Sequence, residues 1–256
     1  MRRNAHWVPD ICENQAITRM DTCQKNGVRF REPAGTKQLV GANPLDPARI
    51  SMRTAAFVIF AIACIGVGAY ALIGYTFFQP GALVHPQMRA VYSVHRLGIM
   101  THVVAAGLAL LLGPWQFIPA LRRRSPRLHR QIGTAYLALG VLPGGAAGFY
   151  MSWLAFGGMV SHTGFALGSL LWLATGVLAF TAAKARRFEA HRDWMIRNFA
   201  LTFAAVTLRV QLGSCFGAGL RFEDFYPILA WSSWIPNLIV AELIVRSLRS
   251  GGNRAH

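Results

Sequence analysis

Hydrophobic positions along this chain gather into six long runs, at about 54–78, 98–120, 133–156, 163–183, 194–216 and 226–248. Each holds roughly the 20 residues that a helix needs to cross the hydrocarbon core of a bilayer. The pattern predicts an all-α fold, an integral membrane six-helix bundle over 54–249. Gly66, Gly68 and Gly74 lie in the first run, and Gln79-Pro80-Gly81 is expected to end it. In the third, Gly140, Gly144 and Gly148 stand four apart, a face of small residues that lets helices approach closely. Pro114 is expected to kink the second run. Before it, 84–97 is less apolar, and Met88, Val91, Tyr92, His95, Ile99 and His102 share one helical face. That stretch reads as a short interfacial helix or an extension of helix two.

Composition agrees with this reading. Hydrophobic residues make up 54% of the chain and charged residues 14%, which fits an integral membrane protein better than a soluble domain. A net charge of +16 would suggest nucleic acid in a soluble protein. Here the basic residues flank apolar helices, so no nucleic acid is expected. Arg122, Arg123, Arg124, Arg127 and Arg130 follow the second run. Lys184, Arg186, Arg187, Arg192 and Arg197 follow the fourth. The intervals after the first, third and fifth runs hold Arg89 and Arg96, no basic residue, and Arg221. By the positive-inside rule this alternation predicts a membrane protein with both termini cytoplasmic. Its expected partners are the lipid bilayer and anionic headgroups at the cytoplasmic face.

Residues 1–53 are polar and basic and read as a flexible cytoplasmic tail, with 250–256 a second, short one. Met52-Arg53-Thr54 has the look of a natural start, which would make 1–51 an over-long gene reading; this hypothesis is tested by N-terminal sequencing. No Cys-x-x-Cys pair, serine nucleophile elbow, phosphate loop or zinc motif appears, and no catalytic residue is assigned.

Topology sorts the histidines. His102 and His162 belong near the outer face, on helices two and four, and lie 60 residues apart. His129 and His191 belong at the cytoplasmic face, at the starts of helices three and five, and lie 62 apart. One His from each of two facing helices, at equal depth, is what axial ligation of haem b by two imidazoles requires. Two such pairs would carry electrons across the bilayer. The glycines of helices three and four would admit a flat macrocycle, and Arg130 and Arg192 would meet its propionates. The alternative is that each His-Arg pair holds lipid phosphate.

Four further polar residues fall within the apolar runs: Gln116, Arg209, Asn237 and Glu242. Counted from Arg197, Arg209 lies about halfway across a span of some 20 residues. A charge there costs about 3 kcal/mol or more, so it is expected to face the bundle interior and a partner. Asn237 is close to its level and is the expected clamp; the alternative is that Arg209 serves as an anion or propionate contact or has a place in a proton path. Glu242 is expected to serve Arg192, Arg197 and Arg246.

Three blocks carry a resemblance. GPWQFIPALRRRSPRLHRQIGTAYL (113–137), AHRDWMIRNFALTFAAVTLRV (190–210) and WSSWIPNLIVAEL (231–243) resemble the integral membrane family catalogued as domain of unknown function 2306. The resemblance covers roughly 52–249. It implies a bacterial multi-helix membrane protein and carries no established activity. His102, Gln116, His129, Arg130, His191, Arg192, Arg209, Asn237 and Glu242 fall in the family's pattern, whereas a histidine at 162 does not belong to it reliably. In layout alone the chain is similar to the two-haem transmembrane cytochromes b that move electrons from ascorbate. Two functions stay open: a haem-binding transmembrane electron carrier, or a non-redox membrane protein for small-solute transport or a structural and lipid-binding role.

Overall fold

The computed structural model describes residues 47–78 and 85–252, and every regular element among them is helical. Contacts divide the chain after Ile50, and the unit from Ser51 onward forms the bundle. The expected N-terminal tail lies outside the described residues up to 46, and so does the break expected at Gln79-Pro80-Gly81. The first helix begins at Pro47, ahead of the apolar run.

Six helices are long and apolar enough to cross a membrane: Thr54–Phe77, Arg96–Gln116, Pro126–Ser152, Gly158–Lys184, Phe188–Gly217 and Phe222–Ser250. They are called spans one to six. Ile59, Ile62, Ile73, Val177 and Leu243 are all exposed on the bundle surface. A soluble monomer rarely shows so much contiguous aliphatic surface, whereas lipid solvates it. A separate short helix, Pro86–Val94, precedes span two and stops at His95, so these residues are a short helix of their own and not an extension of helix two. Pro114 lies in the last turn of span two, which ends at Gln116. Between spans three and four the chain turns at Gly157, whose φ of 96° is a left-handed conformation open to glycine.

Span three departs from a regular helix. Pro126–Ala135 and Leu142–Ser152 are α-helical, and Tyr136–Val141 between them is a π-helical segment. Pro143, just beyond, has no N–H to return to the carbonyl of Leu139. A π turn takes up one extra residue and so re-aims the side chains on either side of it. Tyr136, at its start, is fully buried. Its hydroxyl donates to Asn198 Oδ1 at 2.7 Å and lies 2.6 Å from Thr202 Oγ1 on span five. Span four joins the same network. Trp172 Nε1 donates to Thr202 Oγ1 at 2.9 Å, and Asn198 Nδ2 donates to Trp172 O at 2.7 Å and Thr175 Oγ1 at 2.9 Å. Every side chain in this network is bonded, as burial in lipid demands.

The glycines of span three lie against side chains. A Cβ at Gly140 would come within 2.9 Å of Ala109 Cβ, at Gly144 within 3.1 Å of Trp172, and at Gly148 within 2.7 Å of the His102 ring. This face is a wedge between spans two and four, and these side chains occupy the place expected for a macrocycle. Phe60, Leu110, Phe199, Val206 and Trp234 extend the core between spans one, two, five and six.

Span six is broken. One helix covers Phe222–Ser232 and another Ile235–Gly252, where the sequence predicts one. Pro236 leaves the carbonyl of Ser232 without its helical donor. Gln211 of span five supplies the bond instead, its Nε2 donating to Ser232 O at 3.2 Å.

The network makes a prediction. Tyr136→Phe removes two hydrogen bonds and almost no volume. Interhelical hydrogen bonds in membranes are worth about 0.6 kcal/mol on average and up to about 1.7, so the change should cost about 1–3 kcal/mol. Thermal unfolding in detergent measures it, and an unchanged midpoint would mean that the network does not hold spans three and five together.

Candidate functional site

Spans three and five run in the same direction, and the Tyr136–Asn198 bond fixes their register at a separation of 62 residues. His129 and His191 stand seven residues before these partners, two turns or about 10 Å toward the basic end. They therefore share a depth, and their rings are near enough to interact electrostatically. His191 turns inward: its Nδ1 donates to Ala179 O on span four at 2.9 Å. His129 Nδ1 and Gln116 Nε2 are buried without a hydrogen-bond partner. Gln116 lies over Gly133, one turn beyond His129, and Arg122 is also within electrostatic reach of that ring.

The outer pair is not at one depth. Gly144 faces both Ala105 and Trp172, and Gly148 faces both His102 and Ser169. The separations 172 − 105 and 169 − 102 are both 67, so spans two and four keep a 67-residue register, and His102 is level with Ser169. His162 lies seven residues away, about 10 Å shallower. His102 Nδ1 bonds Gly144 O at 2.8 Å, and His162 Nε2 bonds Ala155 O at 2.9 Å. The expectation of equal depth for His102 and His162 is thus corrected. A separation of 60 residues does not match the register that the glycine wedge imposes.

The arginines beside the inner histidines are otherwise engaged. Arg192 donates through Nε and Nη2 to Asp193 Oδ1 at 3.1 and 3.0 Å. Asp193 is 2% exposed, and its other oxygen accepts from Arg249 Nε at 2.8 Å. Arg130 is exposed and lines an open groove of about 560 Å³ with Arg127, Gln131 and Thr134. Glu242 accepts from Arg197 Nη2 at 2.7 Å and from Arg246 Nε at 3.3 Å. Two of its three expected partners are present, and Arg192 pairs with Asp193 instead. Arg197 also lies 4.9 Å above the Trp194 ring. These contacts stitch span six to span five at the basic end. Sequence reasoning passed over Asp193. Its signal was an acid set between Arg192 and Arg197, which only ion pairing keeps inside.

Asn237 does not clamp Arg209. Its Nδ2 reaches Thr207 Oγ1 at 3.0 Å, Ser233 O at 3.1 Å and Ala200 O at 3.2 Å. Residues two apart on a helix point about 200° apart, so a partner that faces Thr207 cannot face Arg209. The guanidinium of Arg209 instead donates from Nη1 to Ala205 O of its own helix at 3.1 Å. Arg209 is twelve residues after Arg197 and eight before Gly217, about 12 Å inside that end and near the middle of the stretch.

Six apolar spans with a polar interior and a ring of arginines at one end make this a multi-pass membrane protein. The chain belongs to the family described as "Predicted membrane protein (DUF2306)", whose profile matches residues 99–245, from span two into span six. No curated protein and no solved structure matches the chain.

The corrected pairing is testable in double-mutant cycles. Arg209→Ala and Asn237→Ala should be additive within about 0.5 kcal/mol, as for groups without shared contacts. Thr207→Ala and Asn237→Ala should couple by about 0.5 kcal/mol or more. Thermal unfolding of the single and double variants in detergent measures both, and strong coupling of Arg209 to Asn237 would restore the clamp.

Proposed function

We propose that this membrane protein holds a single b-type haem at its basic end, with His129 and His191 as the axial pair. The supporting observation is the common depth of the two imidazoles, fixed by the Tyr136–Asn198 register. A ligating histidine commonly donates its other ring nitrogen to a carbonyl, and His191 does so to Ala179. The unpartnered buried atoms of His129 and Gln116 suit a site that takes up a polar group. Arg122 would meet a propionate, since Arg192 is paired with Asp193 and Arg130 lines the groove. Haem, when bound, supplies one-electron chemistry at a potential that the axial ligands tune. His191, oriented by Ala179, would hold the ring plane, and Gln116 would offer an amide N–H beside it. The depths of His102 and His162 do not support an outer haem, so this reading is of one station and not a transmembrane wire.

A second, non-redox reading rests on the groove of Arg127, Arg130, Gln131 and Thr134. Its two guanidiniums and polar floor suit an anionic lipid headgroup, which would make the protein lipid-binding. On either reading the basic end faces the cytoplasm of a bacterium and both termini lie there. The arginines of 122–130 and 184–197, against none in the interval after span three, support that orientation.

An absorption spectrum decides between the readings. Protein purified from haem-replete cells should show a reducible Soret band that His129→Ala or His191→Ala abolishes and His102→Ala or His162→Ala retains. A colourless wild type excludes the haem and leaves the lipid groove. Reporter fusions test orientation: those after Arg130 and Arg192 should read cytoplasmic, and those at Gly158 and Arg221 periplasmic. A periplasmic signal at Arg130 would overturn it.

A further inference from the structure

The half of the bundle remote from the arginine ring contains a guanidinium with no carboxylate beside it. Among the described residues the ion pairs formed by Asp193, Glu223, Asp224 and Glu242 all go to other arginines, and no acid lies within ion-pair distance of Arg209. A half-buried cation in a span normally has a partner or a water-filled cavity. Among the described residues its one hydrogen bond is to the carbonyl of Ala205 on its own helix.

What surrounds Arg209 is a set of neutral hydroxyls. Leu208 and Leu212, on either side of Arg209 in span five, pack on the cluster that holds Tyr226 of span six, as does Tyr92 of the short helix, which also packs on the cluster of Tyr75 in span one and Val103 in span two; the charge of Arg209 reaches all three hydroxyls and His102. Five elements thus converge on one place. Tyr75 is 8% and Tyr226 7% exposed. Neither hydroxyl, nor that of Tyr92, has a hydrogen-bond partner among the described residues, and none is sealed from water-sized space. A buried phenol usually finds a partner. Burial raises Tyr92 well above the usual tyrosine range, so it remains an O–H donor. His102 is a second fixed element: its Nδ1 donates to Gly144 O. Beside the tyrosines, Met88, Phe222, Phe225 and Leu229 pack into an apolar wall. An unpaired positive charge and three unpaired hydroxyls thus lie together with no carboxylate, next to an apolar surface.

We propose that Arg209, with Tyr75, Tyr92 and Tyr226, binds the oxyanion head of an amphipathic anion whose apolar part lies along Phe222 and Phe225. A carboxylate or phosphate would accept charge-assisted bonds from the guanidinium and the phenols and neutralise the cation within the span. The ligand is a free single-chain acid or an anionic phospholipid of the surrounding bilayer, since both present the same head chemistry. This site is in the opposite half from the histidine pair and does not depend on haem.

The test is ligand-induced stabilisation of the full chain in a neutral detergent. Unfolding is followed by tryptophan fluorescence with dodecanoate, dodecyl phosphate or phosphatidylglycerol, and dodecanol as the uncharged control. Saturating anion should raise the midpoint by about 5–10 °C. Arg209→Gln should abolish the shift, and Tyr75→Phe and Tyr226→Phe should each weaken binding about tenfold, the loss of one bond to a charged group. A shift with dodecanoate or dodecyl phosphate assigns a free acid, and one with phosphatidylglycerol alone assigns a bilayer lipid; both support the site. No shift with any anion, an equal shift with dodecanol, or an undiminished shift in Arg209→Gln overturns it. If Arg209→Gln does not fold, the two phenylalanine variants decide, and unaltered affinity in both overturns the proposal.

Discussion

The bond between Tyr136 and Asn198 sets the order of this bundle. Lipid tails are as apolar as leucine, so helices in a bilayer gain little by burying aliphatic surface against one another. Their mutual register must come from close packing and from polar groups that cannot be left unsatisfied. Tyr136, Asn198, Thr202, Trp172 and Thr175 meet that condition by bonding across spans three, four and five. The same bond holds His129 and His191 at a single depth. Slippage of either helix by one residue would take the phenol away from the amide and separate the imidazoles at once.

Charge is distributed unevenly through the bundle. At one end, Asp193 and Glu242 are each shared by two arginines, joining spans five and six. At the other, Arg209 stands amid phenols. The pairs of Glu242 are partly exposed and their net stabilising effect is modest, whereas buried Asp193 depends on both its arginines. The lone guanidinium lies deeper and carries the greater cost.

Much of this could be read from the chain. Six runs of about the right length gave six spans, and Gly140, Gly144 and Gly148 marked the face on which spans two and four meet span three. The common depth of His129 and His191 was legible because parallel helices of like length keep a constant offset, and Tyr136 and Asn198 stand at the same offset of 62 residues. His102 and His162 misled for the same reason: spans two and four keep 67, which depends on how glycines seat Ala105 and Trp172, a matter of packing and not of count. The π segment was not legible, since Pro143 implies a disturbed helix but not which way it resolves. Pairing Arg209 with Asn237 used depth and ignored azimuth. Thr207, two residues earlier, occupies the direction that Asn237 faces.

Span six shows what one proline can do to a crossing element. Its first half, Phe222–Ser232, packs on spans four and five, and its second half, Ile235–Gly252, packs on span five. No continuous ladder of backbone bonds joins them, because the rung at Pro236 is absent and Gln211 of another helix covers the bare carbonyl of Ser232. The two halves meet at a break that span five braces, so loss of the Gln211 amide would leave the carbonyl of Ser232 bare inside the bundle.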